Sequence, residues 1–172
     1  MRSKNTIKFF LVVILQIIIL IGLLIYHIGK TKGRKIFLRV GSVDPLSPIR
    51  GRYISLYYPD ISSIEIYKFD YSSVKIGDVV YVKLQKVNKI WKIKKDSKIS
   101  KKKPKGGIYI KGIVEFCRYS RVRLKYGIES YFIPEEYAKE FKWGKENYVE
   151  VSIDENGTAA LVKLYIDGRP FP

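Results

Sequence analysis

The feature that most constrains this chain is a long apolar segment close to its N-terminus. From Phe9 to Tyr26 every residue is apolar, glycine or tyrosine except Gln16. A helix over this segment would rise about 27 Å, close to the roughly 30 Å thickness of a bilayer's hydrocarbon core. Each Leu, Ile, Val or Phe favours insertion by about 0.3–0.6 kcal/mol, which together outweighs one glutamine. We therefore predict a transmembrane helix over residues 9–28.

A cleaved signal peptide is the alternative to a permanent anchor. Signal peptides have apolar regions of about 7–15 residues, followed by a cleavage site of small residues. The segment here is longer, and the sequence after it, Y-H-I-G-K-T-K-G-R-K, contains no small-x-small site. We expect an uncleaved anchor between a basic tail, residues 1–8, and a basic juxtamembrane linker, residues 29–35.

Basic residues flank the apolar segment on both sides. Three cations precede it, and the cations that follow closely are Lys30, Lys32, Arg34, Lys35 and Arg39. The positive-inside rule favours a cytoplasmic domain, but only slightly because both flanks are basic.

Two polar residues of this helix could share one face. Gln16 and His27 are eleven positions apart, which places them about 20° apart around a helix. One interpretation is a polar stripe that contacts another helix, since amide side chains hydrogen-bond between helices in lipid. The simpler interpretation, which we favour, is that His27 lies at the membrane interface and Gln16 is tolerated.

Beyond Gly33 the sequence changes to short alternating apolar runs separated by Gly, Pro, Asn and Asp, a pattern typical of β structure. We predict a mainly β fold: one compact antiparallel β domain over residues 36–172 with one short helix, behind the single transmembrane helix. The predicted strands are 36–40, 53–58, 64–69, 79–85, 90–94, 108–116, 121–126, 149–153 and 159–166, and the short helix is 135–142.

The charge of the chain is strongly positive. The formal net charge is +17, with a peak between Lys83 and Lys105, where eleven lysines accompany the single acid Asp96. We interpret residues 94–105 as an exposed loop. Attraction to anionic lipid head groups suits a membrane-tethered domain, and the candidate anion-binding residues are Lys101, Lys102, Lys103 and Lys105. Aromatic residues near this charge would also suit single-stranded nucleic acid, but no nucleic-acid-binding motif accompanies them, so we expect no such partner.

Several catalytic chemistries lack the residues that they need. His27 is the only histidine and Cys117 the only cysteine. The soluble domain therefore has no Ser-His-Asp or Cys-His site, and no metal site built on histidine or clustered cysteine. A Ser–Lys hydrolase of the signal-peptidase kind stays open because both residue types are abundant. However, no S-M-x-P segment, which would supply the nucleophilic serine, follows the anchor. We expect neither enzymatic activity nor a cofactor.

Three separated motifs stand out in the chain beyond the apolar segment. The first is G-R-Y-I-S-L-Y-Y at residues 51–58, preceded by V-D-P at residues 43–45. The second is Y-G-I-E-S-Y-F-I-P-E at residues 126–135, and the third is A-A-L…Y-I-D-G at residues 159–168. Together they resemble the motifs of the GDYXXLXY family, a group of small bacterial membrane-anchored proteins of unknown function. The resemblance implies an extracytoplasmic domain, which we adopt over the slight charge preference.

The first two motifs supply the candidate interaction residues, which are Asp44, Pro45, Gly51, Arg52, Tyr53, Leu56, Tyr58, Tyr126, Gly127, Glu129, Tyr131 and Pro134. Arg52 stands where the family motif has Asp, so we interpret the motif as chiefly architectural. We expect the two aromatic segments to pack together or to share a pocket. The sequence favours a membrane-anchored accessory or binding module whose partner is another membrane protein, with an anionic-ligand binder as the alternative; it leaves the oligomeric state open.

Overall fold

The computed structural model describes residues 2–31, 33–41, 53–65, 74–94, 99–118, 121–138 and 142–171. Within these residues the chain forms two helices and eleven strands. Their bounds are α1 Arg2–Thr31, β1 Arg34–Arg39, β2 Tyr53–Ser55, β3 Ser63–Glu65, β4 Val79–Val87, β5 Ile90–Ile93, β6 Tyr109–Arg118, β7 Arg121–Lys125, β8 Ser130–Phe132, α2 Glu135–Ala138, β9 Asn147–Ile153, β10 Ala159–Ile166 and β11 Arg169–Pro170.

Among the described residues, α1 is the one helix long and apolar enough to cross a membrane, over the span Ile7–Ile25. None of this span is buried against the rest of the protein, and Gln16 is among its exposed residues. A single-pass membrane protein and a signal sequence both have such a helix near the N-terminus. His27 lies in α1 beyond the span.

Helix α1 extends past the predicted bounds of residues 9–28 at both ends. Once a helix has formed, each polar residue added at an end gains a backbone hydrogen bond without a new nucleation cost. Strand β1 already begins at Arg34, so residues 29–35 do not form the separate linker that we predicted. Only two residues separate helix from sheet.

The strands form three antiparallel sheets. A four-stranded sheet has the order β1-β9-β10-β11, a five-stranded sheet has the order β3-β7-β6-β4-β5, and β2 pairs with β8. Antiparallel pairing suits the alternating pattern, because one face of each strand is buried while the other meets water. The predicted fold class, mainly β behind one apolar N-terminal helix, is confirmed.

The core lies where the inward faces of these sheets meet. In the four-stranded sheet Ile36 lies opposite Val151 and Leu38 opposite Val149, and all four side chains are buried. The five-stranded sheet contributes Val80, Val82, Ile110, Val114, Val122 and Leu124 to the same hydrophobic cluster.

Sequence patterns missed the shortest elements and part of one loop. Strands β8 and β11 were not predicted, and α2 is shorter than expected: Lys142 is not helical, and residues 139–141 lie outside the described residues. The described part of the predicted exposed loop is anchored at its start, because Ile99 is buried and Ser100 exchanges backbone hydrogen bonds with Tyr81. An apolar side chain within a lysine-rich stretch explains this difference.

Candidate functional site

Two separated motifs meet in one small sheet. The first motif segment (residues 53–58) supplies β2, and the second motif segment (residues 126–135) supplies β8. In their antiparallel register Tyr53 lies opposite Phe132 and Ile54 opposite Tyr131. The prediction that these aromatic segments pack together is confirmed.

Alternation along the first motif segment divides its side chains into two sets. Ile54, Leu56 and Tyr58 point inward and are at most 3% exposed. Tyr53 and Tyr57 point outward and are 48% and 42% exposed. Two of the residues that name the family motif, Leu56 and Tyr58, are therefore core residues, while its first tyrosine lies at the surface.

Two buried tyrosines join the segments reciprocally, in what we call the tyrosine clasp. The hydroxyl of Tyr58 donates a hydrogen bond of 2.5 Å to the carbonyl oxygen of Ile128. The hydroxyl of Tyr126 donates one of 2.6 Å to the carbonyl oxygen of Ile61. Burial, with a smaller contribution from nearby Glu129, raises the pKa of both hydroxyls well above the usual tyrosine range. Both therefore remain protonated donors.

A carboxylate holds the turn that brings the second segment into place. Glu129 accepts backbone hydrogen bonds from Tyr126, at 2.5 Å, and from Gly127, at 2.9 Å. Gly127 has φ +81°, a conformation that glycine adopts without the strain that a side chain would impose. The carbonyl of Glu129 then accepts from the backbone N–H of Leu56 at 2.8 Å. The predicted residues Glu129 and Gly127 therefore have architectural roles.

An open cleft of about 500 Å³ lies between the two motif segments and strands β6 and β7. Ser55 and Tyr57 line it from the first segment, and Ser130 lines it from the second. The exposed side chains of Arg123 and Lys125, both on β7, also line it. The cleft is open and its lining mixes polar and apolar groups, which suits a peptide segment of a partner.

The four predicted anion-binding lysines lie on one loop but are not equivalent. All four are exposed on the basic loop, which we define as residues 99–108. Lys101 forms an ion pair of 2.8 Å with Asp78, and its hydrogen bond is the main reason why the pKa of that carboxyl is lowered. Lys103 donates a hydrogen bond of 3.3 Å to Asn156. Lys102 and Lys105 extend from the same loop.

Other predicted residues have simpler outcomes. Pro134 immediately precedes α2, and its carbonyl accepts a hydrogen bond from the backbone N–H of Tyr137 at 3.0 Å. The predicted residues that lie outside the described part of the chain are Asp44, Pro45, Gly51 and Arg52. Among the described residues, no group of three or more His, Cys, Asp or Glu side chains is placed to hold a metal ion.

Sequence reasoning missed Asp60, which follows the first motif segment. Its carboxylate receives two hydrogen bonds from Arg39, at 2.9 and 3.0 Å, and an ion pair of 3.2 Å from Lys92. Paired hydrogen bonds from one guanidinium to a carboxylate are geometrically specific. These contacts join the first motif segment to β1 and β5. The sequence gives no diagnostic signal for this contact, because Arg39 and Asp60 are 21 positions apart and both residue types are common.

A second missed cluster holds the β4–β5 hairpin against the four-stranded sheet. Tyr148 stacks on Tyr165 with ring centroids 5.0 Å apart, and Phe37 contacts Tyr148 edge-to-face at 5.5 Å. The ammonium of Lys89, in the hairpin turn, lies 4.4 Å from the ring centroid of Tyr148 and donates to its hydroxyl at 2.8 Å. Cation–π contacts of this kind stabilise tertiary packing.

These features define a class: a mainly β domain behind one apolar N-terminal helix, in which two distant motifs are clasped around a surface cleft. The model of the family described as "GDYXXLXY protein" matches residues 16–164. The chain therefore belongs to the GDYXXLXY family, as the motifs predicted, and that family has no assigned function. No curated protein and no solved structure matches the chain.

Replacing Tyr58 with Phe tests the clasp. The change removes the hydroxyl but keeps the ring, so it leaves the buried carbonyl of Ile128 without its donor. We expect the free energy of unfolding to fall by about 1–3 kcal/mol, measured by urea denaturation of the full chain in detergent. Tyr57→Phe is the matched control, since its side chain is 42% exposed. Equal stability of the two variants would contradict a structural role for the buried hydroxyl.

Proposed function

We propose that this protein is a single-pass, membrane-anchored binding module without catalytic activity of its own. In this proposal α1 remains in the membrane and the β domain lies on the extracytoplasmic side. The domain binds the extramembrane part of another membrane protein through its motif surface, defined as Tyr53, Tyr57 and Phe132 beside the cleft. The observation that carries the proposal is the outward set of aromatic side chains that the clasped segments present together.

The exposure of the motif surface supports a protein partner. Tyr53, Tyr57 and Phe132 are 48%, 42% and 46% exposed, and the rings of Tyr53 and Phe132 meet edge-to-face at 5.5 Å. Tyrosine and phenylalanine are enriched at protein interfaces, where they bury a large area at low entropic cost. The backbone beneath these rings is paired and clasped, so little ordering would be needed on binding.

The charge around the cleft indicates which partner chemistry fits. Arg123, Lys125 and Glu115 are exposed on its wall, while the Glu129 carboxylate accepts hydrogen bonds from two backbone N–H groups. Arg123 also lies over the ring of Phe116, with its guanidinium carbon 5.9 Å from the ring centroid. Exposed cations and an exposed carboxylate beside aromatic rings favour a partner segment that carries charges of both signs.

The short chain distance between α1 and the motif surface supports a partner anchored in the same bilayer. Strand β1 begins at Arg34, and Gly41, seven residues further on, forms a β-bridge with Tyr57. Seven residues of extended chain span at most about 23 Å. The motif surface is therefore within reach of the extramembrane part of a second membrane protein. Confinement of both proteins to one bilayer would raise their effective concentration.

Site-specific photo-crosslinking tests the proposed interface. We expect a photoreactive amino acid at Tyr53 or Phe132, in the full chain in native membranes, to form a discrete adduct with another integral membrane protein. The control position is Val87, which is 41% exposed. Val87 lies on β4, which is separated from the cleft-lining strand β7 by β6. Tyr53→Ser should weaken the adduct formed from position 132. Absence of an adduct at both motif positions, or an equal adduct from position 87, would contradict the proposal.

The proposed side of the membrane has its own test. A reporter enzyme that folds only outside the cytoplasm, fused after Pro172, should be active and should fractionate with membranes. The intact chain should retain residues 1–31 by mass, because no signal-type cleavage site follows the apolar span. Activity of a cytoplasm-dependent reporter at the same position, with none from the first, would place the domain on the opposite side.

A further inference from the structure

We infer that the basic loop and the start of β1 form a surface for the head groups of anionic phospholipids in the bilayer that holds α1. The surface consists of Arg34, Lys102 and Lys105, and we call it the membrane-proximal basic face. This inference rests on the anchor in the proposed function and does not depend on the protein partner.

Chain connectivity places the start of β1 close to the head groups. The apolar span ends at Ile25, and α1 continues to Thr31. Six more helical residues rise about 9 Å, while the head-group layer is roughly 5–8 Å thick on each side. Arg34 then follows after two residues. The start of β1 therefore lies near the outer edge of the head-group layer, within a Debye length of about 8–10 Å.

The junction between helix and sheet is tightly packed. In β1 the backbone of Arg34 pairs with that of Ile153 at the end of β9, and α1 contacts β9 and β10. A side chain at Gly33 would collide with the carbonyl group of Ile153. This close approach ties the end of α1 to the edge of the domain and limits how far the domain can move from the bilayer.

The basic loop is held at the same edge of the domain. The hydroxyl of Tyr109 donates a hydrogen bond of 2.5 Å to the carbonyl oxygen of Glu155, which lies two residues after Ile153. The backbone N–H of Lys111 donates a hydrogen bond of 2.7 Å to the carbonyl oxygen of Gly157. Gly107 and Tyr109 line an open cleft of about 460 Å³ together with Gly33 and Arg34. Lys105 is therefore two residues from the wall of a cleft at the junction with α1.

Three cations of the basic loop and the start of β1 remain available for an anion. Lys102 and Lys105 are exposed, and within the described part of the chain no hydrogen bond or ion pair involves either side chain. The Arg34 guanidinium lies 5.7 Å from the ring centroid of Trp91, which orients it without neutralising it.

Two acids at the same edge offset part of this charge. Asp154 and Glu155 line the cleft together with Arg34, and Asp154 Oδ1 accepts backbone hydrogen bonds from Asn156 and Thr158 at 2.8 and 2.7 Å. No Asp or Glu precedes Asp44, so Lys30 and Lys32 add further positive charge near the span. Each cation near an anionic surface strengthens attraction about fivefold.

Hydrogen exchange of the full chain in nanodiscs tests this face directly. The probe is a bilayer of phosphatidylcholine with or without phosphatidylglycerol, and the readout is amide exchange over residues 99–108. We expect exchange to slow in the anionic bilayer and the protection to disappear at high salt. Lys102→Gln with Lys105→Gln should reduce the protection by more than tenfold, since two cations are lost.

The matched control is Lys142→Gln with Lys145→Gln. Both lysines are exposed and precede the start of β9, whereas the membrane-proximal edge lies at the other end of that strand. This variant should keep the protection. Equal exchange in the two bilayers, or equal loss of protection in both variants, would overturn the lipid contact while leaving the protein interface untouched. Failure of the chain to enter nanodiscs would overturn the anchor and the lipid contact together.

Discussion

The structure depends on two hydroxyl–carbonyl hydrogen bonds in a dry interior. A buried phenol must donate to an acceptor or incur the full cost of desolvation. Tyr58 finds that acceptor on the second motif segment, and Tyr126 finds it just after the first. One bond joins the first segment to the second, and the other joins the second segment to Ile61, three residues beyond the first, so moving the segments apart breaks both bonds. The cleft and the outward aromatic rings follow from this constraint.

This arrangement explains why the family motif defines a fold more readily than an activity. Leu56 and Tyr58 are buried, and their neighbours in the second segment, Gly127 and Glu129, form the turn that receives them. Of the two tyrosines that the family motif names, Tyr53 is exposed to solvent and Tyr58 is buried. A sequence motif made mostly of buried residues identifies proteins that share a fold. In the proposed function, binding depends on the outward residues, most of which the family motif does not specify.

The sequence predicted what alternation and hydropathy encode locally. Strands such as β4 and β7 follow from period-two patterns, and α1 follows from its apolar run. Strand β8 was not predicted because a strand of three residues shows no periodicity, and its partner β2 lies more than seventy positions away. The pairing of Lys101 with Asp78 was not predicted because the sequence does not show which lysines form ion pairs. Of the clasp, the sequence predicted only that the two aromatic segments pack together or share a pocket.

A double-mutant cycle on Tyr58 and Tyr126 tests the central claim most directly. The free energy of unfolding would be measured for the full chain, for each Tyr→Phe variant and for the variant with both changes. If the two bonds act as one clasp, the first loss already loosens the segments. The double variant should then cost less than the sum of the single variants, by about 0.5–3 kcal/mol. Additivity within about 0.3 kcal/mol would show two independent bonds and contradict the account.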